Sequence, residues 1–217
     1  MAGFDFFDVD HTITRTSSGA RYIMLAIRKR VLPLRLLFIV PYYSMTYRLG
    51  MFRLRNYSGG FPYLKGLRRD TLESIAHESF EAHLKDDVFP QAVALIKERQ
   101  SAGRRVVLAT SSVDIIVKPL AEYLGVKEVI ATTLEFTDGV CTGQVIGGTP
   151  LFRAEKRRHV EEFVSASGAR MQDCSFYSDS IYDLPLLKEV GEPVAVNPDF
   201  RLRKHAQARG WKIFDFS

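Results

Sequence analysis

Apolar positions along this chain come in short blocks whose spacing predicts alternating strands and helices. The first block is Gly3-Phe4-Asp5-Phe6-Phe7-Asp8-Val9-Asp10-His11-Thr12. Its phenylalanines and valine predict a buried strand that ends where Asp8 and Asp10 stand. From Asp86 onward the alternation is regular. Pro90 suits the first turn of a helix through Gln100, and Gly103 suits its end. Arg105-Val-Val-Leu-Ala-Thr110 reads as a buried strand. Ser112 is expected to cap the next helix, with Asp114 in its first turn and Gly125 past its end. Further strands are expected over 127–131, 174–178, 193–196 and 211–216, a β-hairpin over 133–146, and helices over 152–166, 184–190 and 200–208. This order predicts an α/β fold, a doubly wound, mostly parallel sheet with helices on both faces.

A stretch of another character interrupts the pattern. Ile13 to Gly19 is polar and hinge-like, and 20–54 is apolar, aromatic and basic. Pro33 and Pro41 are expected to divide it into separate helices. Residues 56–62 read as a loop, and 69–85 as a helix with Leu72, Ile75, Ala76, Phe80 and Leu84 on one face. The chain therefore divides into a core of 1–14 and 86–217 and an all-helical insertion of 15–85. The most apolar part, Val31 to Tyr43, contains Arg35 and is shorter than the roughly 20 residues a membrane span needs.

Charge sharpens this division. The net charge is +5, yet no Asp or Glu lies between His11 and Arg69, a stretch with 12 basic residues. That leaves 18 of the 30 lysines and arginines to face all 25 acids in the rest of the chain. A cationic, apolar insertion on an acidic body favours an anionic substrate or an anionic membrane surface. Its aromatics lack an RNA-binding pattern, so a nucleic-acid partner is not expected. Cys141 and Cys174 have no metal or disulfide spacing and fit a reducing compartment. With no secretory signal visible at the start, a cytoplasmic location is expected, peripheral at the membrane if the insertion binds lipid. There is no P-loop or GxGxxG.

The chemistry concentrates at strand ends. Ligands of open α/β sheets bind at the carboxyl edge, where Asp8 and Asp10 are expected to emerge. Two carboxylates about 4 Å apart repel by roughly 4 kcal/mol at an effective dielectric of 20. A divalent cation removes that repulsion, and hard oxygen ligands suit Mg²⁺. Taken alone, an Asp-x-Asp pair reads equally as a solvated turn.

Four segments in order resemble the haloacid dehalogenase (HAD) superfamily of phosphatases, in its phosphoserine-phosphatase-like branch with an inserted helical cap. Asp8-Val9-Asp10-His11-Thr12 is similar to the DxDxT signature, and Leu108-Ala109-Thr110-Ser111-Ser112 to the second motif. Lys156 stands where the third motif's lysine is expected. Ser178-Asp179-Ser180-Ile181-Tyr182-Asp183 resembles GDxxxD, with Ser178 in place of Gly. The resemblance implies Asp8 as nucleophile and Asp10 as general acid and base. It implies Thr12, Thr110, Ser111 and Lys156 as contacts of the transferring phosphoryl group, with Thr110 and Lys156 stabilising its charge. Asp8, Asp10 (through its carbonyl) and Asp179 would hold Mg²⁺, and Asp183 would support the metal site or pair with Lys156. His11 is expected to have no catalytic part, and Asp5 a structural one.

The expected function is Mg²⁺-dependent hydrolysis of a small phosphomonoester, a phosphoserine-like metabolite, through an aspartyl-phosphate. True phosphoserine phosphatases carry a cap glutamate soon after the first motif to hold the substrate ammonium, and Thr14 to Arg30 has no acid, which weakens phosphoserine as the substrate. One alternative is a membrane-surface phosphatase for a lipid head group such as phosphatidylglycerophosphate. Another is a non-hydrolytic phosphate- or membrane-binding module, against which the presence of Asp10 argues.

Overall fold

A computed structural model describes residues 3–39, 45 and 60–217. Six parallel strands form one sheet in the order β3-β2-β1-β6-β7-β8. They are β1 (Phe4–Phe7), β2 (Arg105–Val113), β3 (Glu128–Thr132), β6 (Ser175–Ser178), β7 (Glu192–Val196) and β8 (Lys212–Phe214). β4 (Leu134–Thr137) and β5 (Val140–Val145) form a separate antiparallel hairpin.

β1 is buried on both faces, as a central parallel strand must be. Phe4 and Phe6 pack with Val107, Phe176, Val160 and Leu202 on one side of the sheet. Phe7 packs with Leu108, Tyr177, Ile96 and Leu120 on the other. Two layers of helix supply these partners: α3 (Pro90–Ser101) and α4 (Asp114–Leu124) on the Phe7 side, α5 (Ala154–Ala166) and α7 (Phe200–Arg209) on the Phe4 side. The short α6 (Leu184–Leu187) lies between β6 and β7 in sequence and adds Leu186 and Leu187 to the Phe4 side. The doubly wound α/β expectation is met.

Asp5 is fully buried, and its structural role is evident. Arg99 Nε donates to its Oδ2 at 2.5 Å and Arg104 Nη2 to its Oδ1 at 2.7 Å. Burial alone would raise its pKa, but the two guanidinium partners hold it below the ordinary value.

Residues 15–85 contribute α1 (Ser18–Arg28) and α2 (Arg69–Ser79), the latter continuing through a π-turn at Phe80–Leu84 and a 3-10 turn at Lys85–Asp87. α1 stops ahead of Pro33: the chain leaves it through Arg30, whose φ is 58°, and a new helical turn starts after Pro33. Pro41 and most of the 56–62 loop lie outside the described residues. Tyr22, Leu25, Leu72 and Ile75 from the two helices share a second core with Leu134, Cys141 and Val145 of the β4–β5 hairpin. The hairpin is locked there by main-chain bonds, Phe61 N to Gly143 O at 2.7 Å and Cys141 N to Leu67 O at 2.8 Å. It follows β3 in sequence but buries its apolar face against the inserted helices.

The two chain crossings between these cores hold each other. Arg15 N donates to Asp87 O at 2.7 Å, and Phe89 N to Ile13 O at 2.9 Å. Arg21 Nη2 and Thr16 Oγ1 both donate to Asp87 Oδ2, at 2.7 and 2.5 Å.

Candidate active site

Strand pairing runs one residue past β1, with Asp8 N donating to Tyr177 O at 2.9 Å. The chain then turns back on Val9, whose carbonyl accepts from the amides of Thr12, Ile13 and Thr14 at 3.3, 2.8 and 3.2 Å. His11 takes φ 63° to permit this, and its Nδ1 lies 3.1 Å from Arg15 O. The tight loop keeps Asp8, Asp10 and Thr12 at the carboxyl edge of the sheet.

Three neighbouring elements add to that edge. Lys156, on the first turn of α5, is 1 % exposed; its Nζ lies 3.1 Å from Asp8 Oδ1 and 2.9 Å from Asp183 Oδ2. Ser178 at the end of β6 donates to the same Asp183 oxygen at 2.7 Å and accepts from Ser180 N at 3.2 Å. Ser178, which stands in place of the motif's Gly, thus ties Asp183 to the turn. Thr110 is buried near the end of β2, and its hydroxyl accepts from Ser112 N at 3.1 Å. Ser111 is half-buried and uses its carbonyl to accept from Thr132 Oγ1 at 2.9 Å.

The electrostatics are those of too many acids for one base. Burial pushes the Asp8 carboxyl up to about 7 against the pull of Lys156, with Asp183 and Asp10 adding to the rise. Burial, then the charge of Asp8, push Asp179 well above the usual carboxylate range. Burial works against the charge of Lys156, but Asp183 and Asp8 outweigh it and raise its pKa. Two buried oxygens, Asp179 Oδ1 and Thr12 Oγ1, have no hydrogen-bond partner among the described residues. Buried polar atoms are almost always satisfied, so these two mark where a ligand or ion is expected. Among the described residues no three His, Cys, Asp or Glu side chains gather as a ready-made metal cage. The donors available are two carboxylates, Asp8 and Asp179, and main-chain oxygen, all hard ligands that suit Mg²⁺. A cleft of about 330 Å³, lined by His11, Arg15, Phe89, Asp179, Asn197 and Phe200, opens onto Asp179.

One expectation is corrected. Ser112 does not cap the helix after β2. The strand continues to Val113, which pairs with Thr132 beyond a register shift, and the helix begins at Asp114. Freed from capping, the Ser112 hydroxyl donates to Asp10 Oδ2 at 2.9 Å. Ser18 N donates to Asp10 Oδ1 at 2.7 Å and Ser17 Oγ to Oδ2 at 3.3 Å. Sequence reasoning missed these three serines. The run Thr16-Ser17-Ser18 carried an N-cap signal, but it was read as a hinge.

A sequence model of the haloacid dehalogenase-like hydrolases matches residues 6–188. The chain belongs to that family. A histidinol-phosphatase from Neisseria meningitidis is similar to this HAD chain, 30% identical over 231 residues that cover all of both proteins. The phosphoserine phosphatase SerB1 of Mycobacterium tuberculosis is 29% identical over 97% of this chain and 70% of its own length. A solved structure from Bordetella pertussis, of a protein with unknown function, superposes with a TM-score of 0.79 at 27% identity and 99% coverage of each chain. The HAD chain described here is thus a hydrolase of the phosphatase kind, alike to phosphoserine and histidinol phosphatases. Phosphatases of this family generally use Mg²⁺. No helix among the described residues is long and apolar enough to cross a membrane.

Proposed function

We propose that this HAD-family phosphatase hydrolyses a small phosphomonoester through an aspartyl-phosphate on Asp8, with Mg²⁺ as cofactor. The observation that carries the reading is the Lys156 ammonium, buried between Asp8 and Asp183 beside two unpartnered oxygens, those of Thr12 and Asp179. Phosphoryl transfer asks for positioning and charge stabilisation, and this cluster supplies both.

An Asp8 carboxylate oxygen attacks phosphorus; the new acyl-phosphate bond forms as the ester P–O bond breaks. Asp10 gives its proton to the departing alkoxide. Water then yields a proton to Asp10 and attacks the aspartyl-phosphate, releasing phosphate and restoring Asp8. Lys156 and the hydroxyls of Thr12 and Thr110, with Ser111 alongside, hold the phosphoryl oxygens as charge shifts among them. Asp183 keeps Lys156 in place. Asp8, Asp179 and the Asp10 carbonyl would hold Mg²⁺, which supplies neutralising charge when bound. α1 has no acid in its first turn to meet a substrate ammonium. The two phosphatase relatives support a small phosphorylated metabolite as the substrate class, while the missing acid counts against phosphoserine itself.

The test is turnover of phosphorylated metabolites with and without Mg²⁺, in wild type and Asp8→Asn. Steady Mg²⁺-dependent hydrolysis in the first and none in the second is expected; more than trace turnover by Asp8→Asn defeats the reading. A second reading, a phosphatase working on a lipid head group at an anionic membrane, rests on Leu34 and Phe38. They are 68% and 82% exposed beside the exposed Arg28, Arg30 and Arg35. Failure to co-sediment with anionic vesicles at low salt would remove it.

A further inference from the structure

Asp10 is gripped from both cores at once. Ser112 belongs to β2 in the sheet; Ser17 and Ser18 begin the first inserted helix. Both Asp10 oxygens are occupied, Oδ1 by the Ser18 amide and Oδ2 by the hydroxyls of Ser112 and Ser17. The Ser112 and Ser18 hydroxyls also meet each other at 3.1 Å. A hydroxyl has one proton to give. Where Asp10 is a carboxylate, Ser112 gives its proton to Asp10 and the Ser18 hydroxyl donates to Ser112. The order of donation onto the carboxylate is then Ser18 to Ser112 to Asp10. Ser18 is 1 % exposed, so water does not substitute readily for its hydroxyl.

We propose that Ser112, backed by Ser18, is a positioning residue for the acid step. It holds the Asp10 carboxyl in the one orientation from which the proton reaches the leaving alkoxide, and it does so only while the inserted helix is seated on the sheet. The idea rests on the reading of Asp10 as general acid. In the step concerned the O–H bond of Asp10 breaks, the ester oxygen takes the proton as its bond to phosphorus breaks, and Asp10 is left as a carboxylate. That carboxylate accepts the three donors described. Loss of the Ser112 hydroxyl leaves Oδ2 with only the longer Ser17 contact at 3.3 Å, so the carboxyl is held less firmly in orientation, and an acid out of hydrogen-bond reach cannot transfer a proton.

Leaving-group dependence isolates this role. An alkyl phosphate expels a strongly basic alkoxide and needs the proton; p-nitrophenyl phosphate expels a stable phenolate and needs it far less. The parameter to compare is kcat/KM, which reports the steps up to the aspartyl-phosphate and is untouched by the later attack of water. For Ser112→Ala we expect kcat/KM on an alkyl phosphate to fall about 10- to 100-fold, part of the 10²–10⁴ that general acid catalysis supplies. The fall on p-nitrophenyl phosphate should be several times smaller. Ser112→Thr, which keeps a hydroxyl on a strand, should restore the alkyl phosphate rate. Ser18→Ala keeps its backbone donor to Asp10 and should show the same bias toward alkyl phosphates, more weakly. It serves as the deciding variant should Ser112→Ala unfold at assay temperature. Equal losses on both substrates, or no loss on either, would overturn the proposal while leaving the phosphatase reading intact. Wild-type turnover that does not require Asp10, tested with Asp10→Asn on the alkyl substrate, would remove its foundation instead.

Discussion

Lys156 Nζ lies 3.1 Å from Asp8 Oδ1 in a place where neither side chain is more than 6 % exposed. The ammonium holds the proposed nucleophile aimed and, through Asp183, is itself held. Removing one partner of a buried pair costs more than the pair contributes, because the other charge is stranded. Lys156→Met is therefore expected to lose stability by about 3 kcal/mol, at the low end of that range because the stranded acids can take up protons. Turnover should drop at least about 10³-fold, since charge stabilisation of the transferring group is lost. Urea unfolding and steady-state kinetics on one preparation check both; near-normal kcat would contradict the placement of Lys156 at the phosphoryl group.

Asp183 depends on Ser178 for one of its two partners. Ser178→Ala removes a buried hydroxyl that donates to a carboxylate and accepts a backbone amide. The expected cost is about 1–2 kcal/mol. Because Asp183 fixes Lys156, kcat should fall by about 10-fold or less with KM little changed. A rise in KM alone would mean that Ser178 acts on binding instead.

Asp179 Oδ1 has no hydrogen-bond partner among the described residues. Mg²⁺ that binds the native state and not the unfolded chain raises the unfolding temperature by mass action. Differential scanning fluorimetry of chelator-treated protein should show a rise on adding Mg²⁺, and Asp179→Asn should abolish it. An unchanged shift in that variant would place the ion elsewhere. Turnover lost to the chelator should return with Mg²⁺.

Asp5 lies on β1 itself, the strand that leads to Asp8, and pairs there with Arg99 and Arg104. Its carboxyl is held below the ordinary value by Arg99 and Arg104 against the effect of burial. A group whose folded pKa is depressed contributes stability above its unfolded pKa, about 3.9, and loses it as pH falls through the folded value. Asp5→Asn should cost about 3 kcal/mol near pH 7, discounted because both arginines are partly exposed. The difference from wild type should shrink as pH falls below about 4. A gap that stays constant from pH 7 to pH 3 would show that the loss comes from shape and not from charge.

Much of this was legible in order of residues. A block of Phe and Val followed by two acids predicts a buried strand with those acids at its carboxyl edge. The alternation of 3.6- and 2-residue periods then gave the parallel core around it. Lys156 and Asp183 were legible as members of an ordered set, although neither stands out from its charged neighbours. The β4–β5 hairpin was legible as a hairpin, but not its attachment. Alternating apolar residues show that one face must be covered without naming what covers it. The same holds for Pro33, a sensible breaker that the turn through Arg30 made redundant.

The sequence by itself determined the elements, their order and which acids share an edge, because local periodicity and turn chemistry act over a few residues. The tertiary structure alone decided which side chains touch across 94 to 148 residues of chain: Ser18 on Ser112, Ser112 on Asp10, Lys156 on Asp8. Such contacts depend on how the two cores seat against one another and on one extra stretch of strand pairing at Val113. A serine hydroxyl has a use only when a partner is within 3.5 Å, and distance in space is the quantity that a linear pattern does not carry.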